Sequence, residues 1–221
     1  MDIIDLHHWN LTYAAARQLQ ATLAERVKLT PLRRPIRTVA GVDCAFDKPN
    51  GKALAAIVVL SYPQLEPIET ASAVVELTFP YIPGLLSFRE APACLAAAKK
   101  LRTTPDLFLI DGQGIAHPRR LGLAAHLGLF LGRPTIGCAK SRLIGAYDEP
   151  AVDKGSRNPL VDGSETIGAV LRTRTGVKPL FISPGHLCTL KDAVGWTLNL
   201  TTRYRLPEPA RMAHHHVSAL K

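Results

Sequence analysis

The 221-residue sequence has no apolar run able to cross a bilayer. Its longest such stretch, Ala53-Leu54-Ala55-Ala56-Ile57-Val58-Val59-Leu60, falls far short of the roughly 20 residues a spanning helix needs. A hydrophobic leader is also missing: Met1-Asp2-Ile3-Ile4-Asp5 is acidic, and no apolar stretch follows, so a soluble cytoplasmic chain without membrane contact is expected. Cysteine is scarce. Cys44, Cys94, Cys138 and Cys188 are scattered without zinc-finger or redox spacing, and a chain of this length needs no disulfides, so buried free thiols are expected. There is no internal repeat and no low-complexity tract. A dinucleotide fingerprint is absent too, because Gly112-Gln113-Gly114 runs on to His117 where the third glycine would stand. Paired metal-binding histidines are lacking as well. His214-His215-His216 lie on a predicted helix, where neighbours point about 100° apart and cannot converge on one ion, which argues against a zinc hydrolase.

What is present is the composition of one folded domain over residues 1–221, 47% hydrophobic and 20% charged, which excludes a disordered chain. Twenty-seven Lys and Arg oppose 18 Asp and Glu, a formal charge of +9, with a pI near 9.7. That excess suits a polyanionic partner without specifying one.

Apolar positions at helical spacing predict a helix over residues 10–27, ended by the Pro31 to Pro35 stretch. Strands are predicted at Thr38 to Phe46, Ala53 to Ser61 and Ile68 to Thr78. The Asn50-Gly51 pair between the first two is a hairpin signal, so an antiparallel meander is expected. Helices then alternate with short buried strands: Ser87 to Leu101, Leu107 to Ile110, Pro118 to Leu131 and Thr135 to Ala139. This alternation implies parallel pairing with right-handed crossovers. Residues 146–163, rich in Asp, Gly and Pro, read as an exposed loop. Strands at Thr166 to Arg172 and Leu180 to Ile182, a helix over Leu190 to Thr201 and a basic C-terminal helix complete the prediction. The fold class is α/β, a mixed sheet of three antiparallel strands and then parallel βαβ units, flanked by helices.

Several residues could carry chemistry. Asp43 interrupts an apolar strand; a buried carboxylate there needs a partner or a metal, while strand alternation equally allows it to face solvent. Asp111 closes a buried strand, where ligand-binding groups collect in open α/β sheets, although Asp-Gly also serves as a plain turn. Glu90 fits a capping box with Ser87. Arg119 and Arg120 fall in a predicted helical first turn, where cations oppose the macrodipole; either an anion such as phosphate sits nearby or both side chains simply extend into water. Lys140 lies at the same sheet edge as Asp111, as a phosphate or water ligand or as a surface lysine. In Pro80-Tyr81-Ile82-Pro83-Gly84-Leu85-Leu86, two prolines stiffen a loop whose apolar groups either plug the core or wedge into a base stack.

Together, Gly41-Val42-Asp43, Pro80 through Glu90 (PYIPGLLSFRE), Asp111 through Arg120 (DGQGIAHPRR), Gly137 through Lys140 (GCAK) and Arg205 through Arg211 (RLPEPAR) resemble the endonuclease V family of deoxyinosine-specific nucleases. The resemblance implies a ribonuclease H-like fold. It implies metal-binding roles for Asp43 and Asp111, with Glu90 as a third acidic member in place of the cap reading. His214 falls where the family has His or Asp, and Lys140 where a residue sits near the scissile phosphate. Tyr81 resembles the wedge that fills the gap left by the lesion, and Gly84, Leu86 and Gly112 resemble the lining of a pocket for the flipped hypoxanthine. Ala210 departs from the family's usual Thr. The implied reaction is Mg²⁺-dependent, with Mn²⁺ able to substitute. It hydrolyses the second phosphodiester bond 3′ to deoxyinosine in DNA, leaving a 3′-hydroxyl and a 5′-phosphate, and the enzyme is expected to be a monomer. Cleavage of inosine-containing RNA and a non-catalytic nucleic-acid-binding module are the rival readings.

Overall fold

A computed structural model describes residues 1–220. Its centre is an eight-stranded sheet in the order β3-β2-β1-β4-β5-β8-β7-β6. Strands β1 (Thr38–Asp47), β2 (Lys52–Ser61) and β3 (Pro67–Glu76) form the expected meander, and Gly51 sits at φ 62° in the first turn, a conformation that favours glycine. β4 (Leu107–Ile110) and β5 (Thr135–Ala139) add to β1 in parallel, with Val39 opposite Leu107 and Phe108 opposite Thr135. Helices α2 (Leu86–Lys99) and α3 (Leu123–Leu131) separate these strands in sequence, as parallel crossovers require. Beyond β5 the sheet turns antiparallel through β8 (Leu180–His186), β7 (Glu165–Leu171) and β6 (Arg157–Asp162). No helix separates β6, β7 and β8, so hairpin returns are the only short connection available.

Alternation along the central strands divides the core between two faces. Ala40, Val42, Phe108 and Ile110 pack under α2 and α3, while Val39, Leu107, Leu109 and Ile136 pack under α4 (Leu190–Asn199) and α5 (Glu208–Ser218). The N-terminal helix α1 (Tyr13–Ala24) lies over α3.

Three expectations are corrected. Residues 146–163 are not all loop, since Arg157–Asp162 forms edge strand β6, paired with β7. The helix expected from Pro118 begins only at Leu123, capped by Gly122; residues 117–120 form a turn with Arg120 at φ 55°. Ser87 is not a helix cap. α2 starts after Leu85 with no side-chain cap, and Ser87 is buried inside it, bonded to His126 (3.1 Å).

That bond ends a chain of neutral imidazoles. His7 Nδ1 donates to the His8 carbonyl (2.8 Å), so its Nε2 accepts from His126 Nε2 (2.9 Å), and His126 Nδ1 accepts the Ser87 hydroxyl. Burial, with His7 alongside, pushes the His126 imidazole down to about 3. A folded-state value below the unfolded one, about 6.5, gives stability that is present above pH 6.5 and lost as pH falls toward 3. Urea unfolding followed against pH is expected to show this. From pH 6.5 downward, the parent loses up to about 1.4 kcal/mol per pH unit relative to a His126→Phe variant, and parallel profiles would contradict a neutral buried His126.

Candidate active site

The parallel register of β1 and β4 builds the site. Val42 lies opposite Ile110, and the Asp111 amide donates to the Val42 carbonyl (3.0 Å), so the ladder runs one residue past β4. Asp111 therefore emerges beside Asp43. On the same face of the sheet, α5 brings His214, whose Nδ1 lies 2.7 Å from Asp43 Oδ2; Asp43 Oδ1 accepts the Cys44 amide at 2.8 Å. Ligand atoms of Asp43, Asp111 and His214 all lie within 4.8 Å of one another. Asp43 is buried, which settles its orientation against the solvent-facing alternative. Among the three consecutive histidines only His214 reaches this cluster, while His215 and His216 point to the surface over β2 and β3.

Gly41 makes that meeting possible. A Cβ at this position would come within 1.9 Å of the Pro209 carbonyl oxygen, so α5 rests directly on the β1 backbone. From Pro209 to His214 the helix rises about 7.5 Å, and from Gly41 to Asp43 the strand rises about 6.6 Å, so one contact sets the other.

Glu90, on α2, shares two adjoining cavities with Asp111 and Lys140. The first, about 400 Å³, also holds Asp43, Phe46, Lys48 and His214. The second, about 410 Å³, is walled by Tyr81, Gly84, Leu86, Gly112, Gln113 and Leu143, among others. Burial and then the Asp111 charge push the Asp43 carboxyl up, and burial with Asp43 and Asp111 lifts Glu90 to about 8. Three carboxyl groups so placed repel one another when ionised, and a cation would relieve that repulsion. The Lys140 ammonium offsets part of it, with Nζ donating to Asp111 Oδ2. Oxygen-rich ligation with an adjoining open cavity suits a hard divalent ion that keeps waters, so the donor set fits Mg²⁺.

The second cavity has free donors. α2 begins at Leu86 with no side-chain cap, and among the described residues its Leu86 and Ser87 amides donate to no acceptor at the positive end of the dipole, while the Phe88 amide donates to the Leu85 carbonyl (3.1 Å). Among the described residues the Gly84 and Gly112 amides also donate to no acceptor. The Gly84 carbonyl, by contrast, accepts from His117 Nε2 (3.0 Å) and Arg119 Nη2 (2.7 Å), bracing a residue at φ 77°. His117 Nδ1 accepts the Arg119 amide (3.1 Å), which fixes the neutral tautomer, and burial with Arg119 nearby pushes it down to about 4. Tyr81 stands out from the loop, 70% exposed.

The phosphate role expected of Arg119 and Arg120 loses its premise, because neither lies in a helical first turn and both are engaged within the protein. Arg119 bonds Gly84 and Gln20, and Arg120 bonds Asp162 and Glu165 of the β6–β7 hairpin. Three supporting residues were not singled out from sequence. His117 braces Gly84, and its place in DGQGIAHPRR could have signalled it. Arg205 donates to the Lys140 carbonyl (3.0 Å) from within RLPEPAR. Gln113 donates to the Ser141 carbonyl (2.9 Å), leaving its buried Oε1 without a partner among the described residues in the wall of the second cavity, and nothing in the sequence marks it.

A family model described as Endonuclease V matches residues 21–215. The Endonuclease V of Nostoc punctiforme (strain ATCC 29133 / PCC 73102) is 52% identical over 214 residues, covering 96% of this chain and 97% of the relative. The crystal structure of Endonuclease V from Streptomyces avermitilis is similar at a TM-score of 0.92 and 45% identity, covering 96% of this chain and 94% of that one. The Ciona intestinalis Endonuclease V, in complex with a 24mer DNA containing an inosine followed by a ribo-adenosine, is similar at a TM-score of 0.81 and 30% identity, covering 94% and 96%.

Thermal unfolding with and without Mg²⁺ or Mn²⁺ tests the cluster without any substrate. At a cation concentration about 100-fold above its dissociation constant, stabilisation of about 2.7 kcal/mol is expected. It is expected to persist in His215→Ala, to weaken in His214→Ala and Gly41→Ala, and to vanish in Asp43→Ala and Asp111→Ala. A shift retained in the last two would exclude this cation site.

Proposed function

The chain belongs to the endonuclease V family, and we propose that it is a Mg²⁺-dependent DNA repair endonuclease. In this reading it recognises deoxyinosine and hydrolyses the second phosphodiester bond on the 3′ side, leaving a 3′-hydroxyl and a 5′-phosphate. The observation that carries the reading is the convergence of Asp43, Asp111 and His214 on one cavity that shares Glu90, Asp111 and Lys140 with a second. One cavity suits a phosphate with its cation and the other suits an extruded base, and the offset between them fits a cut displaced from the lesion.

Asp43 and Asp111 would hold Mg²⁺, with Glu90 and His214 beside them and Mn²⁺ able to substitute. A divalent ion so held supplies Lewis-acid charge and lowers the pKa of attacking water. The chain's own residues do the rest. His214 Nδ1 keeps the Asp43 carboxylate oriented. Lys140, tied to Asp111 and fixed by Arg205 at its carbonyl, offers a cation toward the scissile phosphate. The Leu86 and Ser87 amides of α2, with those of Gly84 and Gly112, supply donors for the O6 and N7 acceptors of hypoxanthine. Adenine presents an amino donor in place of O6, so the same amides disfavour it. Tyr81, exposed on a loop stiffened by Pro80 and Pro83, would fill the gap in the stack. A weakly paired base costs less to extrude, which adds to the selectivity.

The Ciona relative's DNA carries a ribo-adenosine after its inosine, which keeps cleavage of inosine-containing RNA as the second reading. The decisive assay incubates the protein with an end-labelled duplex carrying one deoxyinosine, with Mg²⁺ or EDTA, beside an undamaged duplex and an inosine RNA. A Mg²⁺-dependent nick one nucleotide beyond the lesion is expected. Asp43→Ala and Asp111→Ala are expected to lose about a thousandfold in rate or more while still binding DNA. Cleavage of the RNA alone would move the substrate class, and binding without cleavage in every lane would return the protein to a non-catalytic role.

A further inference from the structure

The positive charge of this chain is not gathered only at the carboxylate end of the sheet. Lys28, Arg33, Arg34 and Arg133 line a cleft of about 500 Å³ beside the start of β4 and β5, whereas Asp111 and Lys140 follow their far ends. None of these four side chains pairs with a carboxylate among the described residues. The acid in the wall, Asp106, is already engaged by the Arg37 amide (2.9 Å) and by the amide and hydroxyl of Thr38 (3.0 Å each). Asp192 is committed likewise, to Leu32 and Thr189. Neutral donors leave the Asp106 charge in place, so the cleft sets four cations against one carboxylate, and with Arg26 and Arg37 nearby this end of the molecule is strongly positive.

The wall is irregular in backbone yet pinned. The Lys28 amide donates to His186 Nδ1 (3.2 Å), and the Leu187 amide donates to the Lys28 carbonyl (2.7 Å). Leu32 and Ile36 pack into the core, which leaves Arg33 and Arg34 turned outward. Burial, with the charges of Lys28 and Arg26, pushes His186 down to about 4, so it adds no cation of its own at neutral pH. The charges are strung along an extended segment and across to Arg133 instead of meeting at one point. No helix N-terminus completes a cradle for a single phosphate either; α3 ends here, at Gly132, with its negative pole.

We propose that this cleft is a second phosphate-binding site, which holds the backbone of a nucleic-acid strand other than the one at the carboxylate centre. A charged strand meets separated cations one phosphate at a time, and this arrangement matches that demand better than it matches a compact anion. The two sites are divided by the length of β4 and β5, about 13–17 Å at 3.3 Å per residue, with the body of the fold between them. A short duplex is a stiff rod on this scale, and the proposal seats a separate one at each site. The inference does not depend on deoxyinosine recognition, since it concerns undamaged backbone.

Sedimentation of the full chain with an undamaged duplex of about one helical turn, roughly 10 base pairs, provides the test. At low salt the parent is expected to bind two duplexes, the second step weakening with a salt slope of about −2.7 for three neutralised phosphates. The Arg33→Ser/Arg34→Ser/Arg133→Ser variant is expected to bind one, while nicking a deoxyinosine duplex within about twofold of the parent rate, a difference of about 0.4 kcal/mol. A control with equal charge loss at exposed positions, Lys99→Ser/Lys100→Ser/Arg102→Ser, is expected to keep both. One duplex on the parent, two on the cleft variant, or equal losses in cleft and control variants would each overturn the proposal. Displacement of the second duplex by micromolar ATP would overturn the strand assignment in favour of a mononucleotide. Absence of nicking by the parent would bear on the deoxyinosine reading alone.

Discussion

A single backbone hydrogen bond, from the Asp111 amide to the Val42 carbonyl, governs the arrangement of the carboxylates. It continues the parallel ladder for one residue beyond β4 and so delivers Asp111 next to Asp43. A slip of one residue would turn either side chain to the opposite face of the sheet. That register is fixed by what lies on both sides. Phe108 and Ile110 must reach α2 and α3, and Leu107 and Leu109 must reach the face under α4 and α5. The site thus inherits its geometry from the core packed on both faces of the sheet.

Placing ionisable groups there has a cost that the local structure meets only in part. Asp43 is buried and receives the Cys44 amide and His214, and Asp111 receives Lys140, yet among the described residues Glu90 has no hydrogen-bonding partner and is held well above the ordinary carboxylate range. The arrangement is under-neutralised by its own protein groups, as expected of a centre that works with an added cation. The supporting groups are less ambiguous: His117, Arg119 and Arg205 each donate to a carbonyl, and each thereby fixes a backbone segment that carries a site residue.

Much of this was legible in the sequence, for definite reasons. The meander was marked by Asn50-Gly51 and by β-rich runs on either side, and β4 and β5 by short apolar runs between helical patterns. Hydrophobic alternation could not decide the orientation of Asp43, because both neighbours are apolar and β1 is covered on both faces. The Ser87 to Glu90 spacing suggested a cap, but Ser87 is needed by His126 from α3, a tertiary contact invisible to local pattern. Pro118 looked like a helix start, yet the turn it begins is used to hold Gly84, and the helix waits until Leu123. β6 was hidden because Asp, Gly and Pro dominate its surroundings, and only pairing with β7 makes it a strand. The site residues themselves came together through family likeness; spacing alone left Glu90, Lys140 and His214 each with a plausible structural role.

The brace on Gly84 bears on how time is spent during a search along DNA. The loop carrying Tyr81 is stiffened by two prolines, anchored by two donors on one carbonyl and continuous with an uncapped helix. Its conformational entropy is surrendered when the chain folds, not at each encounter. For an enzyme that tests bases in succession, the protein side of every trial is then the same. Under the proposed function, the dwell at each position would then be set by the ease with which the DNA itself opens, and the nucleic acid would act as the clock of the search.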